Sequence, residues 1–405
     1  MPSLQRKPVV VLSNNDGCIV SRTDEAKALG IGMAGPYFQF REQIEKNGVA
    51  VFSSNYHLYG DMSRRVMDTL RSLAPSVEVY SVDECFLDLT GIADEQLKEY
   101  GLFLKKTTEQ WTGIPVSIGI APTKVLSKVA NRLAKKDKVG TSGVVLIHNE
   151  GTRHDALQRT AVEDIWGIGR AGAEKLHLYN IHNAWELSCM SEEWARKNLG
   201  GIVGVRLIKE LNGIPCIDMK DPLTQKKMIA TTRMFGKPVW ELKELKEAVA
   251  TYITRAAEKL RRQHGAAGHM HLFIVERDAR RATTYAPTSR SASIQLPVAT
   301  QMTHTLISYA MPLVTQLFEQ GNRYIKAGVI LSDIVPENSI QSSFFDTPPT
   351  DKEKKLMQAI DNINFSMRND VLKFATAGIQ KNWKMRQEKR SRRFTTRWDE
   401  LYVVK

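Results

Sequence analysis

The stretch "VYSVDECFLDL", residues 79–89, sets two carboxylates, Asp83 and Glu84, side by side in an otherwise apolar run. Val77 and Val79 alternate before the pair and Leu87 and Leu89 after it, so both flanks read as strands. Neighbouring side chains of a straight strand point to opposite faces, so the two acids could not share a ligand there. A hairpin tip or bulge near Ser81–Glu84 would break the alternation and let them converge. Two converging carboxylates suit a hard divalent cation, Mg²⁺ before others. The alternative is a solvated turn that happens to be acidic.

Working outward, 405 residues suggest two to four domains with ample core. Lys and Arg number 57 against 44 Asp and Glu, and the resulting +13 favours a polyanionic partner, nucleic acid before a membrane surface. Cys18, Cys85, Cys189 and Cys216 lie far apart with no C-x-x-C pair, which suits a reducing compartment rather than a disulfide framework or a zinc site. The run Val9–Leu12 is too short for a signal peptide, and no stretch is long enough to span a bilayer. The expectation is a cytoplasmic protein with no membrane partner.

"KPVVVL", from Lys7, reads as a buried strand and "NNDG" at 14–17 as a tight turn. Helices are expected over 61–73, about 94–111 and Thr123 to about Lys138, with strands at "PVSIGIA" and "GVVLI" (143–147). That interleaving predicts one α/β domain with a mostly antiparallel sheet. From about 155 to 225 the sequence turns to short helices, and "DMKDPLTQKK" at 218–227 reads as a linker. Residues 228–335 follow the order strand, helix, strand, strand, helix, strand, a split β-α-β unit, with helices near 242–264 and 300–320. A tail begins at 341.

Several features beyond the acidic pair bear on chemistry. On the third helix Lys124, Lys128, Arg132 and Lys135 fall within about 80° of one another, opposite Val125, Leu126, Val129 and Leu133. That basic stripe covers about 16 Å, enough to run beside a triphosphate or a strand backbone, or it is simply a solvated face. "GIG" at 167–169, with Arg170 and Lys175 nearby, fits a helix-hairpin-helix whose amides bind a DNA phosphate; Gly167 and Gly169 also suit a plain helix turn. Arg255, Arg261, Arg262, Arg277, Arg280, Arg281 and Arg290 cluster on the split β-α-β unit and offer phosphate-binding forks, or a solubilising surface. Residues 384–397 hold seven Lys or Arg and one acid, beside Trp383, Phe394 and Trp398. They read equally as a platform for single-stranded bases or as a disordered tail. In "QSSFFD", Gln341, Phe344 and Phe345 have the form of a short peptide that docks in an apolar groove.

Together, "KPVVVLSNNDGCIVSR", "EAKALGI", "FSSNYHLYGDMSRRVM", "VYSVDECFLDLTG", "IGIAPTKVLSKVAN", "DIWGIGR", "YIKAGVIL", "QSSFFD" and "FTTRW" resemble the Y-family, lesion-bypass DNA polymerases of the UmuC type. They occur in family order over nearly the whole chain. The resemblance implies an α/β (α+β) right hand: a palm over 1–154 with fingers inserted at about 13–60, a helix-hairpin-helix thumb over 155–225, a little finger over 226–340 and a C-terminal tail over 341–405. It implies error-prone translesion synthesis in the SOS damage response, with primer–template DNA and dNTP as substrates and two Mg²⁺ ions as cofactors. By that resemblance Asp83 bridges the metals and Glu84 holds the ion that activates the primer 3′-hydroxyl. Ser81 lies beside the metals, Ser21 and Lys27 contact the triphosphate, and Lys135 neutralises it. Gln341, Phe344 and Phe345 become a sliding-clamp (β) peptide. The processed UmuD dimer and RecA are further implied partners.

One departure stands out. Family members open with a strand that carries a third metal-binding Asp and, a few residues on, an aromatic gate against ribonucleotides. Here about twenty such residues are missing ahead of "MPSLQRKPVVV", and Asp16 reads as part of a turn rather than a replacement. Either the reading frame begins too late or the chain is a natural truncation, and little or no polymerase activity is expected of it. The competing reading is a catalytically silent, clamp-tethered DNA-binding factor. A helix-hairpin-helix glycosylase or nuclease leaves the hairpin, the split β-α-β unit and "QSSFFD" unexplained.

Overall fold

A continuous apolar run near the start of the chain builds its first sheet. The computed structural model describes residues 2–220, 224–277, 287–341, 345, 349–367 and 371–401. In it β1 (Val9–Leu12) pairs antiparallel with β2 (Ile19–Arg22) and parallel with β3 (Ala50–Ser53), in the order β2-β1-β3. Val10 and Leu12 are buried and their neighbours are not, so the run is half-buried rather than covered on both faces. α1 (Asp24–Ala28), capped by the Thr23 hydroxyl, and α2 (Tyr37–Lys46) close over Val10, Leu12 and Ile19 with Ile31 and Ile44. These residues, 1–55, form one compact unit with 225–392; residues 56–224 and 393–405 form the other.

In the second unit α3 (Tyr56–Arg71) starts earlier than the expected 61. β4 (Ser76–Val79) and β5 (Cys85–Asp88) make an antiparallel hairpin, with Val79 opposite Cys85. α4 (Asp94–Thr112) ends on Gly113, whose φ of +69° closes the helix in the left-handed region. β6 (Ile118–Ile120) and β7 (Val144–Leu146) pair in parallel, joined through α5 (Lys124–Lys136). A Cβ at Gly119 would lie 2.1 Å from the Asn131 nitrogen, so only glycine lets α5 rest directly on β6. The one mostly antiparallel sheet expected for this region is not what forms. Among the described residues the strands make separate small sheets, one of them parallel, and β4–β5 shares no strand with β6–β7.

The short helices expected after 155 are α6 (Glu150–Gln158), α7 (Arg170–Leu178), α8 (Ala184–Ser188), α9 (Glu192–Asn198) and α10 (Ile202–Leu211). Leu126 of α5 is buried in one core with Leu157, Leu176, Leu187 and Leu211 from these helices. That shared core carries the second unit across the boundary drawn at 155. The split β-α-β unit forms as expected from β8 (Ile229–Val239), α11 (Leu242–Arg262), β9 (Gly265–Arg277), β10 (Thr288–Thr300), α12 (Thr303–Leu317) and β11 (Arg323–Pro336). Its antiparallel order is β10-β9-β11-β8. Leu245, Val249, Ile253 and Leu260 face Met270, Leu272 and Ile274, periods of about 3.6 and 2 meeting in one core. α13 (Asp351–Met367) follows in the tail.

Candidate active site and nucleic-acid surfaces

The turn Tyr80–Glu84 takes both acids out of the strand alternation. The Tyr80 and Ser81 amides both donate to the Glu84 carbonyl, at 3.1 and 3.0 Å, which closes the tip. Asp83 is exposed and accepts from the Ser81 hydroxyl at 2.6 Å. Glu84 is partly buried, and its carboxylate holds the Lys128 ammonium at 2.6 Å. The tip rests on an aromatic cluster: Trp166 Nε1–H donates to the Tyr80 hydroxyl at 3.0 Å, and both rings pack on Phe86. The Trp166 contact joins the turn to the segment just ahead of "GIG".

A third carboxylate, Glu78, lies on β4 one pair below the tip. Glu78 and Lys124 are both buried and ion-paired. Lys124 also donates to the Asp218 carbonyl at 2.7 Å, and the Lys220 amide donates to Glu78 at 2.9 Å. The hairpin is thereby tied to the polar linker that starts near 218. Burial pushes the Glu78 carboxyl upward, but the bonds from Lys124 and Lys220 outweigh it and leave it below its ordinary 4.5. The basic stripe is therefore mostly spoken for. Lys124 takes Glu78, Lys128 takes Glu84, and Arg132 with Lys136 takes Asp164. Lys135 is exposed near the end of α5.

Ser21 is exposed on β2, and Lys27, exposed on α1, pairs with Asp24 at 2.6 Å. Gly167 has a φ of +101° and Gly169 is the residue before α7. Arg170 is exposed and bonded to Glu174, while Lys175 donates to the Asn198 carbonyl at 2.8 Å. On the split β-α-β unit, Arg255 pairs with Glu258, Arg290 lies between Glu276 and Glu319, and Arg277 is exposed at the end of β9. Arg261 is structural: it grips Asp361 of α13 with two bonds, at 2.6 and 2.7 Å, and donates to Gln301 and Thr303. Arg280, Arg281 and Phe344 lie outside the described residues. Gln341 and Phe345 are exposed. Trp383, expected as a base-stacking platform or part of a disordered tail, is buried against Phe235 and Tyr252. An indole that fills a core cannot stack on a base.

Asp83 and Glu84 could offer a cation two carboxylates, and no group of three or more metal-binding side chains occurs among the described residues. That is compatible with Mg²⁺, which commonly takes one or two protein carboxylates and completes its shell with phosphates and water. Lys128 already balances the Glu84 charge, as a cation would.

The impB/mucB/samB family matches residues 1–132, and its C-terminal domain matches 226–344. A domain of unknown function, DUF4113, matches 354–404. Protein UmuC of Salmonella typhimurium is 39% identical over 406 residues, covering 100% of this chain and 96% of that protein. The chain belongs to this family. Protein MucB of Escherichia coli is 35% identical, over 100% of this chain and 95% of its own length. DNA polymerase IV of Desulfatibacillum aliphaticivorans is 24% identical over 371 residues. The fold is that of a solved Y-family DNA polymerase chimera, Dbh-Dpo4(243-245)-Dbh, with a TM-score of 0.66 at 20% identity over 83% of this chain and 94% of that one. The family member described here is accordingly a Y-family, DNA-directed DNA polymerase that carries out error-prone translesion synthesis. These likenesses do not favour the silent DNA-binding factor. No helix among the described residues is long and apolar enough to cross a membrane.

Sequence reasoning missed two contributors to this geometry. Lys128 reads only as part of a basic stripe, and Trp166 carries no signal in the sequence analysis. For Lys128 the helical phase was a usable signal, since it lies one turn from Lys124; its partner, 44 positions earlier, had none.

Proposed function

We propose that the turn Tyr80–Glu84 is the catalytic centre of the translesion polymerase, with Asp83 and Glu84 holding two Mg²⁺ ions. The carrying observation is the five-residue tip, which frees both carboxylates from strand alternation and leaves Asp83 exposed. Held by Asp83 and Glu84, the ions would supply charge stabilisation for in-line attack on the α-phosphate. The chain's own residues do the rest. Ser81 orients the Asp83 carboxylate through its hydroxyl, and Lys128 holds the Glu84 carboxylate in place through its ammonium. The Trp166–Tyr80 bond fixes the tip from below. Lys135 neutralises the triphosphate, and by resemblance Ser21 and Lys27 contact it.

Gly167, Gly169, Arg170 and Lys175 are read as backbone contacts to DNA, together with Arg255, Arg277 and Arg290. Several of these cations already face carboxylates, so phosphate binding exchanges one anion for another and rests on electrostatics without base reading. Log affinity for primer–template is expected to fall linearly with log salt, by about 0.9 for each phosphate neutralised. Lys175→Ala lowers that slope by about one unit and leaves sequence preference unchanged. A flat salt response overturns the assigned surface. The clamp, through Gln341, Phe344 and Phe345, and the processed UmuD dimer and RecA complete the reading as partners supported by resemblance.

A further inference from the structure

The sheets of the first unit each end on an edge strand, β3 in one and β8 in the other. An open edge presents unpaired amides and carbonyls, which proteins cover. One tail segment reaches both. The Gly236 amide of β8 donates to the Trp383 carbonyl at 3.0 Å. A Cβ at Gly236 would lie 2.2 Å from the Lys384 carbonyl oxygen, so the two backbones approach as closely as glycine alone permits. Six residues on, Ser53 of β3 donates from its amide to the Lys389 carbonyl at 3.0 Å, and its hydroxyl accepts from the Lys389 amide at 2.9 Å. Asn55, fully buried, donates to the carbonyls of Ser391 and Arg392.

Between these ends the "NNDG" turn acts as a receptor. The Arg386 amide donates to Asn15 Oδ1 at 2.9 Å, and the Glu388 amide donates to Asp16 Oδ2 at 3.0 Å. The Asn15 amide group also donates to the carbonyls of Met234 and Phe235 on β8. Asn15 and Asp16 have φ of +61° and +53°, a left-handed pair that Asn and Asp tolerate better than other residues with a Cβ. Nearly all of these bonds use the tail's backbone, so Lys384, Arg386 and Arg390 remain exposed. Buried Trp383 pins the segment at one end.

We propose that the C-terminal domain of unknown function works as a strap. Residues 383–392 dock on both sheet edges at once and hold the β10-β9-β11-β8 sheet and the β2-β1-β3 sheet as one body. This goes beyond the catalytic reading and does not depend on it. The test is amide hydrogen exchange on the full chain, comparing it with Glu388→Pro and Trp383→Ala. Proline at exposed 388 deletes the amide that Asp16 accepts and leaves the rest of the segment extended. A strap couples its ends, so each variant is expected to speed exchange about tenfold at both Ser53 and Gly236, with β9 and β11 unchanged. If Trp383→Ala fails to fold, Glu388→Pro alone decides, because its lesion lies at the β3 end and the readout at Gly236. Unchanged protection at both amides overturns the proposal, and so does loss at the nearer edge alone.

Discussion

Asp83→Asn and Glu84→Gln each lower Mg²⁺-dependent nucleotide insertion by at least about a thousandfold, while Asp88→Asn on the same hairpin does not. Divalent ions contribute several kcal/mol of transition-state charge stabilisation, and each ~1.4 kcal/mol is tenfold in rate. Removing one of only two carboxylates at the tip removes most of that. Asp88 serves the Thr90 amide at the far end of β5, so its loss costs a turn bond and no ligand. Binding of Mn²⁺ in the presence of primer–template and an unreactive nucleotide, followed by its electron-spin signal, reports the same loss without turnover. Bound Mn²⁺ that persists in both tip variants contradicts the assignment.

Lys124→Met destabilises the second unit by about 3–5 kcal/mol, the cost of leaving Glu78 buried beside a lost partner. The double variant Glu78→Leu with Lys124→Met recovers most of it, because two apolar side chains bury no orphan charge. Lys128→Met, whose pair with Glu84 is partly exposed, changes stability by only about 0–1 kcal/mol. Urea midpoints separate the three. The pH dependence has a definite sign. The Glu78 carboxyl lies below its ordinary 4.5 in the folded chain, so its contribution is complete above about pH 4.5 and is lost as pH falls through the folded value. In Lys124→Met burial dominates, and that acid-side loss disappears or reverses. An unchanged acid slope in this variant would show that Lys124 does not hold Glu78.

Local periodicity made much of this architecture legible. Strand alternation on both sides of Asp83–Glu84 located the hairpin, and the change of period between 228 and 335 located the split β-α-β unit. The basic stripe of α5 reads as one helix face, but the groups that meet that face did not follow from its phase. Phase tells which side chains share a face, while the carboxylates that meet them come from Glu78, Glu84 and Asp164, each fixed by tertiary packing. Trp383 failed for a related reason: a basic neighbourhood reads as exposed, yet the indole turns inward while the flanking cations turn out. The bonds between residues 1–55 and the tail run mostly through the tail's backbone, more than 300 residues away. Backbone donors carry no sequence mark, so that pairing left nothing to read.

Under the proposed mechanism the tip of one hairpin carries the reacting metals. Its most direct test is a crystal structure of the chain with primer–template, an unreactive nucleotide and Mn²⁺, located by anomalous scattering. Metal peaks are expected about 2 Å from carboxylate oxygens of Asp83 and Glu84, with the Lys128 ammonium moved off Glu84. Peaks bound elsewhere, with Lys128 still seated on Glu84, would contradict that mechanism.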